Sequence, residues 1–414
     1  MSSNDRAPDN LPPKIRGLLL GVLISGTGNG LVFSFLFIYL HQVRGIPSGI
    51  VGLLSAYGAV VALCLSPLFG SLIDHWGPKP VLMGSLVLSA VSVGCMGFIH
   101  NIPTALLVIT FTSSGGAAMW PSQSAIAVEL TTEEQRPRYF GSQFAMMNLG
   151  MGLGGLIASL IVDTSHPQTF VNLYRGDGFS FLLYFVIVLS IHGVGHRTHA
   201  ERKVNSDRID GWRNVLADKV FLKVWLISIG AVLCGYAQLE VGFTAFSSMI
   251  AKVQPSEIAW AFVGNTLLIA VAQLWFVKKF EKYDRTKSIA IAALLWAAAW
   301  VALALAGIIR SQALALIVIC QIVFGFGEMV WSPIMPSIVN QLAPAHLRGR
   351  YNAASTSTWT IGSIMGPVIA GVLLGANLQW WWIGGLVLGL IIVATAAMRL
   401  HLPDRNGSSS ISHQ

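Results

Sequence analysis

Two glutamates lie inside long apolar segments, where a charge is costly. Glu328 occurs in FGEMVWSP, within the apolar run from Ala313 to Val339, and Glu240 occurs in GYAQLEVGF. A charged side chain at the centre of a membrane-spanning helix costs a few kcal/mol or more, so an acid there is usually functional. An apolar cavity disfavours the charged form of a glutamate, which can then take up and release a proton as its surroundings change. These two acids are the first candidates for proton binding.

The composition indicates a membrane protein that crosses the bilayer many times. Hydrophobic residues make up 54% of the 414 residues and charged residues 11%, with a mean hydropathy of +0.66. A soluble domain would have about a quarter charged residues. Apolar runs long enough to cross a membrane recur along the chain and predict an all-α protein with twelve transmembrane helices. The predicted spans are 17–40, 47–69, 80–99, 103–127, 139–162, 178–195, 222–247, 257–277, 288–308, 313–339, 351–375 and 379–399.

The longest polar segment divides the spans into two sets of six. We predict an N-terminal bundle at 1–195, a cytoplasmic linker at 196–221, a C-terminal bundle at 222–400 and a cytoplasmic tail at 401–414. With both termini in the cytoplasm, 22 of the 26 Lys and Arg residues fall on the cytoplasmic side. This bias predicts that orientation in a cell membrane. It also accounts for the net charge of +8 without a nucleic-acid partner.

Other chemistry finds no support in the sequence. The four cysteines all fall inside predicted spans and lack the spacing of metal ligands. No CxxC, HExxH, GxSxG or Walker pattern occurs, so we expect no metal, no cofactor and no enzyme activity. The expected partners are small molecules, protons and membrane lipids.

The two halves of the chain repeat each other. Residues 119–139 align with 331–351 at an offset of 212. The alignment continues into the next span, and nine positions match in register. The matching pairs are Pro121/Pro333, Ile126/Ile338, Leu130/Leu342, Arg136/Arg348, Arg138/Arg350, Tyr139/Tyr351, Gly150/Gly362, Gly154/Gly366 and Ala158/Ala370. Two related six-helix bundles with a site between them are typical of alternating-access transporters.

The loop after the second span resembles a signature of the major facilitator superfamily. In the segment 70–79, GSLIDHWGPK, the signature positions Gly70, Asp74, Gly77 and Lys79 are present, while His75 and Pro78 replace the usual arginines. The resemblance implies two pseudo-symmetric six-helix bundles and a monomer. A carboxylate at position 74, beside the positive N-terminus of a helix in the other half, would form a gate that opens in each cycle.

Glycines in spans five and eleven are similar to a motif of the twelve-helix drug:proton antiporter family. They are Gly150 and Gly154, and Gly362 and Gly366 followed by Pro367. We expect these small residues to let helices approach closely along the seam between the halves. The arginine usual in span four of such antiporters is missing, and Phe111 lies near its place. Proton coupling must therefore use acids.

The stretch around Glu328 is similar to multidrug/proton antiporters in which a glutamate in this context is a functional acid. The resemblance implies that spans one, four, seven and ten line the cavity. We therefore predict proton coupling by Glu328, Glu240 and Asp74. Of the acids, we expect only Glu240 and Glu328 to lie deep in spans, both in the C-terminal half. The predicted substrate-binding residues are Asn29, Phe33, Phe37, Met119, Trp120, Gln123, Tyr236, Gln238, Phe243, Asn265, Phe324 and Trp331.

These features favour proton-coupled export of lipophilic, cationic or neutral compounds by alternating access. One alternative is a uniporter or proton symporter for a specific metabolite. Few buried polar groups are available for a sugar, and no Lys or Arg lies mid-span to hold an anion. The second alternative is a sensor or lipid-handling scaffold with the same fold, which the absence of an added soluble domain disfavours.

Overall fold

A computed structural model describes residues 11–32, 36–163, 166–195, 211–280 and 283–402. These residues form helices without strands, and twelve of the helices are long and apolar enough to cross a membrane. The predicted fold class is confirmed. Residues 196–210 of the predicted linker and 403–414 of the predicted tail lie outside the described residues.

The first six membrane helices form the N-terminal half. They are α1 (Pro13–Val32), α2 (Ser48–Trp76), α3 (Pro78–Gly94), α4 (Ile102–Leu130), α5 (Arg136–Ile161) and α6 (Gln168–Ser190). Short helices at Leu36–Ile38 and Tyr39–Val43 follow α1, and a 3-10 turn at Cys95–Phe98 extends α3. Helix α6 begins ten residues before the predicted sixth span, so Asp177 lies inside the helix and not before it.

The last six membrane helices form the C-terminal half, after a short linker helix at Gly211–Ala217. They are α7 (Lys219–Cys234), α8 (Pro255–Phe280), α9 (Arg285–Ile308), α10 (Ala313–Leu342), α11 (Arg348–Gly375) and α12 (Gln379–Met398). The predicted seventh span is not one regular helix. Beyond Cys234 the chain continues as a 3-10 turn at Tyr236–Gln238 and two π-helical turns at Leu239–Phe243 and Phe246–Ile250.

The repeated glycines pack helices within each half, not between halves as predicted. A Cβ on Gly154 would lie 2.0 Å from the carbonyl oxygen of Thr27 in α1. A Cβ on Gly366 would lie 2.4 Å from the carbonyl oxygen of Ala237. Their partners Gly150 and Gly362 approach the same neighbours. The glycines are needed because backbone meets backbone at these crossings. Pro367 lies inside α11 next to this contact.

The seam between the halves is formed mainly by other contacts. Helix α2 packs along α11, and α5 packs against α8 and α10. On α5, Phe144 joins an apolar cluster with Ile269 of α8 and Met329 of α10. Gly141 of α5 approaches Val277 of α8, where a Cβ would lie 2.3 Å from a methyl group. These contacts place α5, α8, α10 and α11 around the space between the halves.

Candidate functional site

Asp74 joins the two halves at the side of the bundle where α1 begins and α12 ends, called the terminal side below. Its Oδ1 accepts a hydrogen bond of 2.6 Å from the Gly349 backbone N–H, and its Oδ2 accepts one of 3.2 Å from that of Arg350. The Arg350 guanidinium donates to Oδ2 at 3.1 Å. Both amides belong to the first turn of α11, where a helix has unpaired N–H groups and a partial positive charge. Asp74 is only 1% exposed and links α2 of the N-terminal half to α11 of the C-terminal half.

The rest of the signature positions this carboxylate. Gly70 lies against α11, where a Cβ would come within 2.8 Å of the Ala353 side chain. Gly77 has φ of +96°, a conformation that favours glycine, and it ends α2. The Lys79 ammonium donates to the carbonyl oxygens of Leu189 and Ile191 at the end of α6. Lys79 therefore ties α3 to α6 within the N-terminal half.

Glu328 is buried in α10 and is held by an amide. Asn265 of α8 donates to Glu328 Oε2 at 3.0 Å and to the carbonyl oxygen of Gln321 at 3.0 Å. The Tyr236 hydroxyl lies close to the same carboxyl group, without completing a hydrogen bond of normal geometry. Among the described residues no Lys, Arg or His forms an ion pair with Glu328. A buried carboxylate without a cation is unfavourable, so the group requires either a proton or a cationic ligand.

The glycine that precedes Glu328 allows a tryptophan to pack behind it. A Cβ on Gly327 would lie 2.5 Å from the indole of Trp296, whose N–H donates to the Phe324 carbonyl oxygen at 3.1 Å. Tyr236 packs edge-on against the same indole, with ring centroids 4.9 Å apart. The acid is therefore surrounded by rings on one side and by an amide on the other. This packing fixes its position relative to the space between the halves.

A cavity of about 260 Å³ lies between the halves beside Glu328. Its wall is mostly apolar and aromatic on the N-terminal side, with hydroxyl groups from α11 on the other side. Tyr236, whose hydroxyl lies close to the Glu328 carboxyl group, forms part of this wall. The lining residues are Trp120, Phe140, Phe144, Met147, Ser228, Val232, Tyr236, Trp331, Ser332, Met335, Pro336, Asn352, Ser355, Thr356, Thr358 and Trp359.

A second cavity, of about 280 Å³, lies within the N-terminal half. It adjoins the first at Trp120 and Met147, which line both. Asn29 and Gln123 supply amide groups to its wall, and Gln123 also accepts a hydrogen bond from Gln143 at 2.9 Å. Met119 and Gly116 line it as well. Gly116 is the repeat counterpart of Glu328, so the two halves place different chemistry at equivalent positions.

This arrangement of two repeated six-helix bundles with a cavity between them agrees with the family comparison. The family model described as Major Facilitator Superfamily matches residues 18–254 and 243–413. The chain belongs to the Major Facilitator Superfamily. It is therefore a multi-pass membrane transporter of small molecules, in a family of transporters rather than enzymes.

Several members of the superfamily are similar over nearly the whole chain. The "Quinolone resistance protein NorA" of Staphylococcus aureus (strain COL) is 24% identical over 384 residues, covering 91% of this chain and 94% of that protein. The "Uncharacterized MFS-type transporter YttB" of Bacillus subtilis (strain 168) is 22% identical, covering 92% and 93%.

Solved structures of the superfamily share the fold. A bacterial homologue of the iron transporter ferroportin in the outward-facing state has a TM-score of 0.77 at 14% identity, covering 94% of this chain and 99% of that one. The human organic anion transporter MFSD10 (TETRAN) has a TM-score of 0.71 at 15% identity, covering 94% and 98%. At these identities the likeness concerns the fold alone.

Three residues predicted to bind substrate lie away from both cavities of this transporter. Phe324 is fully buried between Trp296 and Trp300, and Phe243 is fully buried against Phe262. Gln238 is also fully buried and accepts a hydrogen bond from the Trp382 indole at 2.9 Å. The prediction for Gln238 and Phe243 assumed a regular helix through 236–243. The 3-10 and π turns there rotate these two side chains away from helical register. These residues pack the C-terminal half.

The other predicted site residues divide into two groups. Asn29, Met119, Trp120, Gln123, Tyr236 and Trp331 line the cavities, and Asn265 holds Glu328. Phe33 lies outside the described residues. The backbones of Phe37 and Glu240 are described, but their side chains are not. Glu240 therefore stays a prediction.

The sequence analysis missed one buried acid of this transporter. Asp177 lies ten residues into α6 and is 1% exposed. The expectation that only the C-terminal half holds acids deep in its spans is therefore wrong. The cause is the start of α6: its first turns, QTFVNLYRGDG, are polar, so the hydropathy window begins only after Asp177. Mid-helix burial could have been suspected from the small residues Gly176 and Gly178 on either side.

Proposed function

We propose that this chain is a proton-coupled exporter of lipophilic cationic or neutral small molecules. It works by alternating access in the cell membrane, with both termini in the cytoplasm. The observation that carries the proposal is the position of Glu328: it is buried, has no cationic partner among the described residues, and lies close to Tyr236, which lines an aromatic cavity between the halves. Quinolone resistance in the name of a relative, NorA, supports a drug-like substrate class.

Exchange of a proton for a cation at Glu328 follows from charge balance. In the closed packing seen here the carboxyl group is neutral when it has only Asn265 as a partner, because a buried unpaired charge is unfavourable. A cationic substrate in the adjoining cavity would stabilise the ionised form and release the proton. Tyr236 and Trp331 offer ring faces to the same cation, each contact contributing roughly 0.5–2 kcal/mol.

Asp74 acts as the gate in this scheme. Its hydrogen bonds to the start of α11 hold the terminal side shut while the opposite side exchanges its contents. Breaking them lets the terminal side open and exposes the cavity to the cytoplasm. The +8 charge of the chain is concentrated on that side by the Lys and Arg distribution.

The test of the proposal is Glu328→Gln in proteoliposomes. The amide keeps the shape of the side chain but cannot bind and release a proton. We expect the folded variant to lose export of a lipophilic cationic dye driven by a pH gradient. Glu257→Gln is the control, since Glu257 lies in the first turn of α8. Undiminished gradient-driven export by Glu328→Gln would remove this residue from the mechanism.

The N-terminal cavity favours a second candidate, a proton symporter for a polar metabolite. Its wall carries Asn29, Gln123, Ser25, Ser89 and Thr112, which suit a hydroxylated solute better than a lipophilic one. Under this alternative substrate and protons would move in the same direction. Transport under pH gradients of opposite sign separates the two functions.

A further inference from the structure

The carboxyl group of Asp177 has almost no polar partner. The Ser180 hydroxyl lies 3.3 Å from Oδ1, but it also donates to the carbonyl oxygen of Asp177 at the shorter distance of 2.7 Å. Oδ2 is buried and has no hydrogen-bond partner among the described residues. A helical aspartate normally finds a partner or faces water. Oδ2 of Asp177 does neither.

Helix α1 covers the carboxyl group with glycine. A Cβ on Gly28 would lie 2.3 Å from Asp177 Oδ1 and 2.1 Å from Ser180 Oγ, so any larger residue would displace the acid. On the other side Gly178 meets the backbone of Ala90 in α3, where a Cβ would lie 2.9 Å from its carbonyl oxygen. Helices α1 and α3 therefore both pack closely against this segment of α6, and α1 covers the carboxyl group itself.

None of the described groups around Asp177 supplies a positive charge in contact with it. Helix α1 carries only Lys14 and Arg16, both in its first turn, and α3 carries only Lys79, at its start. Arg44 is directed to the Tyr39 hydroxyl at 2.8 Å. Arg175, two residues before Asp177 on α6, is exposed and lines a separate surface cavity with Arg44. The remaining titratable groups on the elements packed here are Tyr39, His41, Cys95, Tyr174 and Tyr184.

An ionised carboxylate in this place would lack both water and a counter-ion. Burial of such a charge is strongly unfavourable. A proton removes the charge, so the neutral acid is the form that fits this packing. Ionisation requires a conformation in which the segment of α1 around Gly28, called the cover below, has moved away from Asp177.

The cover separates Asp177 from the N-terminal cavity by a single layer of residues. Asn29, which follows Gly28, lines that cavity, and so does Phe181, one helical turn after Asp177. Movement of α1 away from α6 would admit cavity water to the carboxyl group. Alternating access moves helices of this kind relative to one another.

We propose that Asp177 is a proton-binding site of the N-terminal half, occupied while Gly28 of α1 rests on it and emptied when α1 moves away. The inference rests on the proposed proton coupling. By the repeat offset of 212, Glu328 corresponds to Gly116. Asp177 in α6 and Glu328 in α10 lie on helices that do not correspond in the repeat, so the two protons bind at non-equivalent places.

Infrared difference spectroscopy between acidic and alkaline pH tests the site in the reconstituted, full-length chain. A neutral carboxyl group in an apolar place gives a C=O band that disappears on ionisation. We expect Asp177→Asn to lose one such band that Glu328→Gln retains, and the reverse for the second band. Asp163→Asn is the control, because Asp163 is exposed between α5 and α6 and pairs with His166.

Labelling the unsubstituted chain with [4-13C]aspartate removes the dependence on a variant that could misfold. The band assigned to Asp177 shifts to lower frequency, while a glutamate band stays. The absence of any neutral aspartate band, or an Asp177→Asn spectrum identical to that of the unsubstituted chain, would overturn the proposal. If Glu328→Gln alone loses a band, the Asp177 site fails and the proposed function stands. If neither variant loses a band, proton coupling itself fails.

Discussion

Replacing Asp74 with Asn tests the gate through a quantity that the structure allows us to estimate. Asp74 accepts three hydrogen bonds from Gly349 and Arg350, and it is almost fully buried. An amide has only one acceptor atom, and its NH2 group would face N–H donors. Hydrogen bonds to charged groups contribute about 1.5–3 kcal/mol each. Loss of one such bond, about 2 kcal/mol, shifts the closed-to-open ratio of the terminal side roughly 30-fold.

Spin labels across the terminal side measure this ratio. Cysteines at Trp76 on α2 and Lys287 on α9, in a chain whose native cysteines are replaced, report the separation of the halves by double electron–electron resonance. We expect Asp74→Asn to move population from the short to the long distance, and to slow turnover more than it weakens binding. Asp284→Asn is the control, because Asp284 caps α9 within its own half. An unchanged distance distribution, or an effect on binding alone, would refute the gate.

Two further predictions concern stability. Gly154→Val places atoms against the carbonyl oxygen of Thr27, so we expect a fall in melting temperature in detergent. The control Gly155→Ala, whose added Cβ has its nearest neighbour 3.9 Å away, should have the melting temperature of the unsubstituted chain. Equal melting temperatures of the two variants would contradict the α1–α5 packing. The Thr286 hydroxyl and the first N–H groups of α9 hold the pKa of Asp284 below its ordinary value of 3.8. Asp284→Ala should therefore lower the free energy of unfolding by roughly 1 kcal/mol at neutral pH. The difference from the unsubstituted chain should stay constant down to about pH 4 and disappear as the pH falls further through the lowered pKa. A difference that persists in acid would argue against the charged cap.

The sequence predicted those features that depend on composition and on local pattern. Twelve apolar runs and the repeat at 119–139 and 331–351 define the architecture, because spanning a bilayer requires length and low polarity. The signature around Asp74 predicted a carboxylate at a helix N-terminus of the other half, and the hydrogen bonds to Gly349 and Arg350 lie there. Glu328 was visible as a charge in an apolar run.

Other features depend on three-dimensional packing that no single-chain pattern reports. The helical register through 236–243 is broken by 3-10 and π turns, so Gln238 and Phe243 point away from the cavities. The polar start of α6 concealed Asp177, whose carboxyl group is covered by Gly28 of α1. The glycines of α5 face α1 instead of the seam because the close crossing is inside the half.

The central claim is that this transporter exchanges protons for a lipophilic cation, and one measurement tests it most directly. Proteoliposomes containing the unsubstituted chain are given a pH gradient of either sign, and movement of a lipophilic cationic dye is followed. We predict that the dye accumulates on the acidic side, against its own gradient, and that this stops in Glu328→Gln. Accumulation on the alkaline side, in the direction of proton flow, or equilibration that ignores the gradient, would contradict the account.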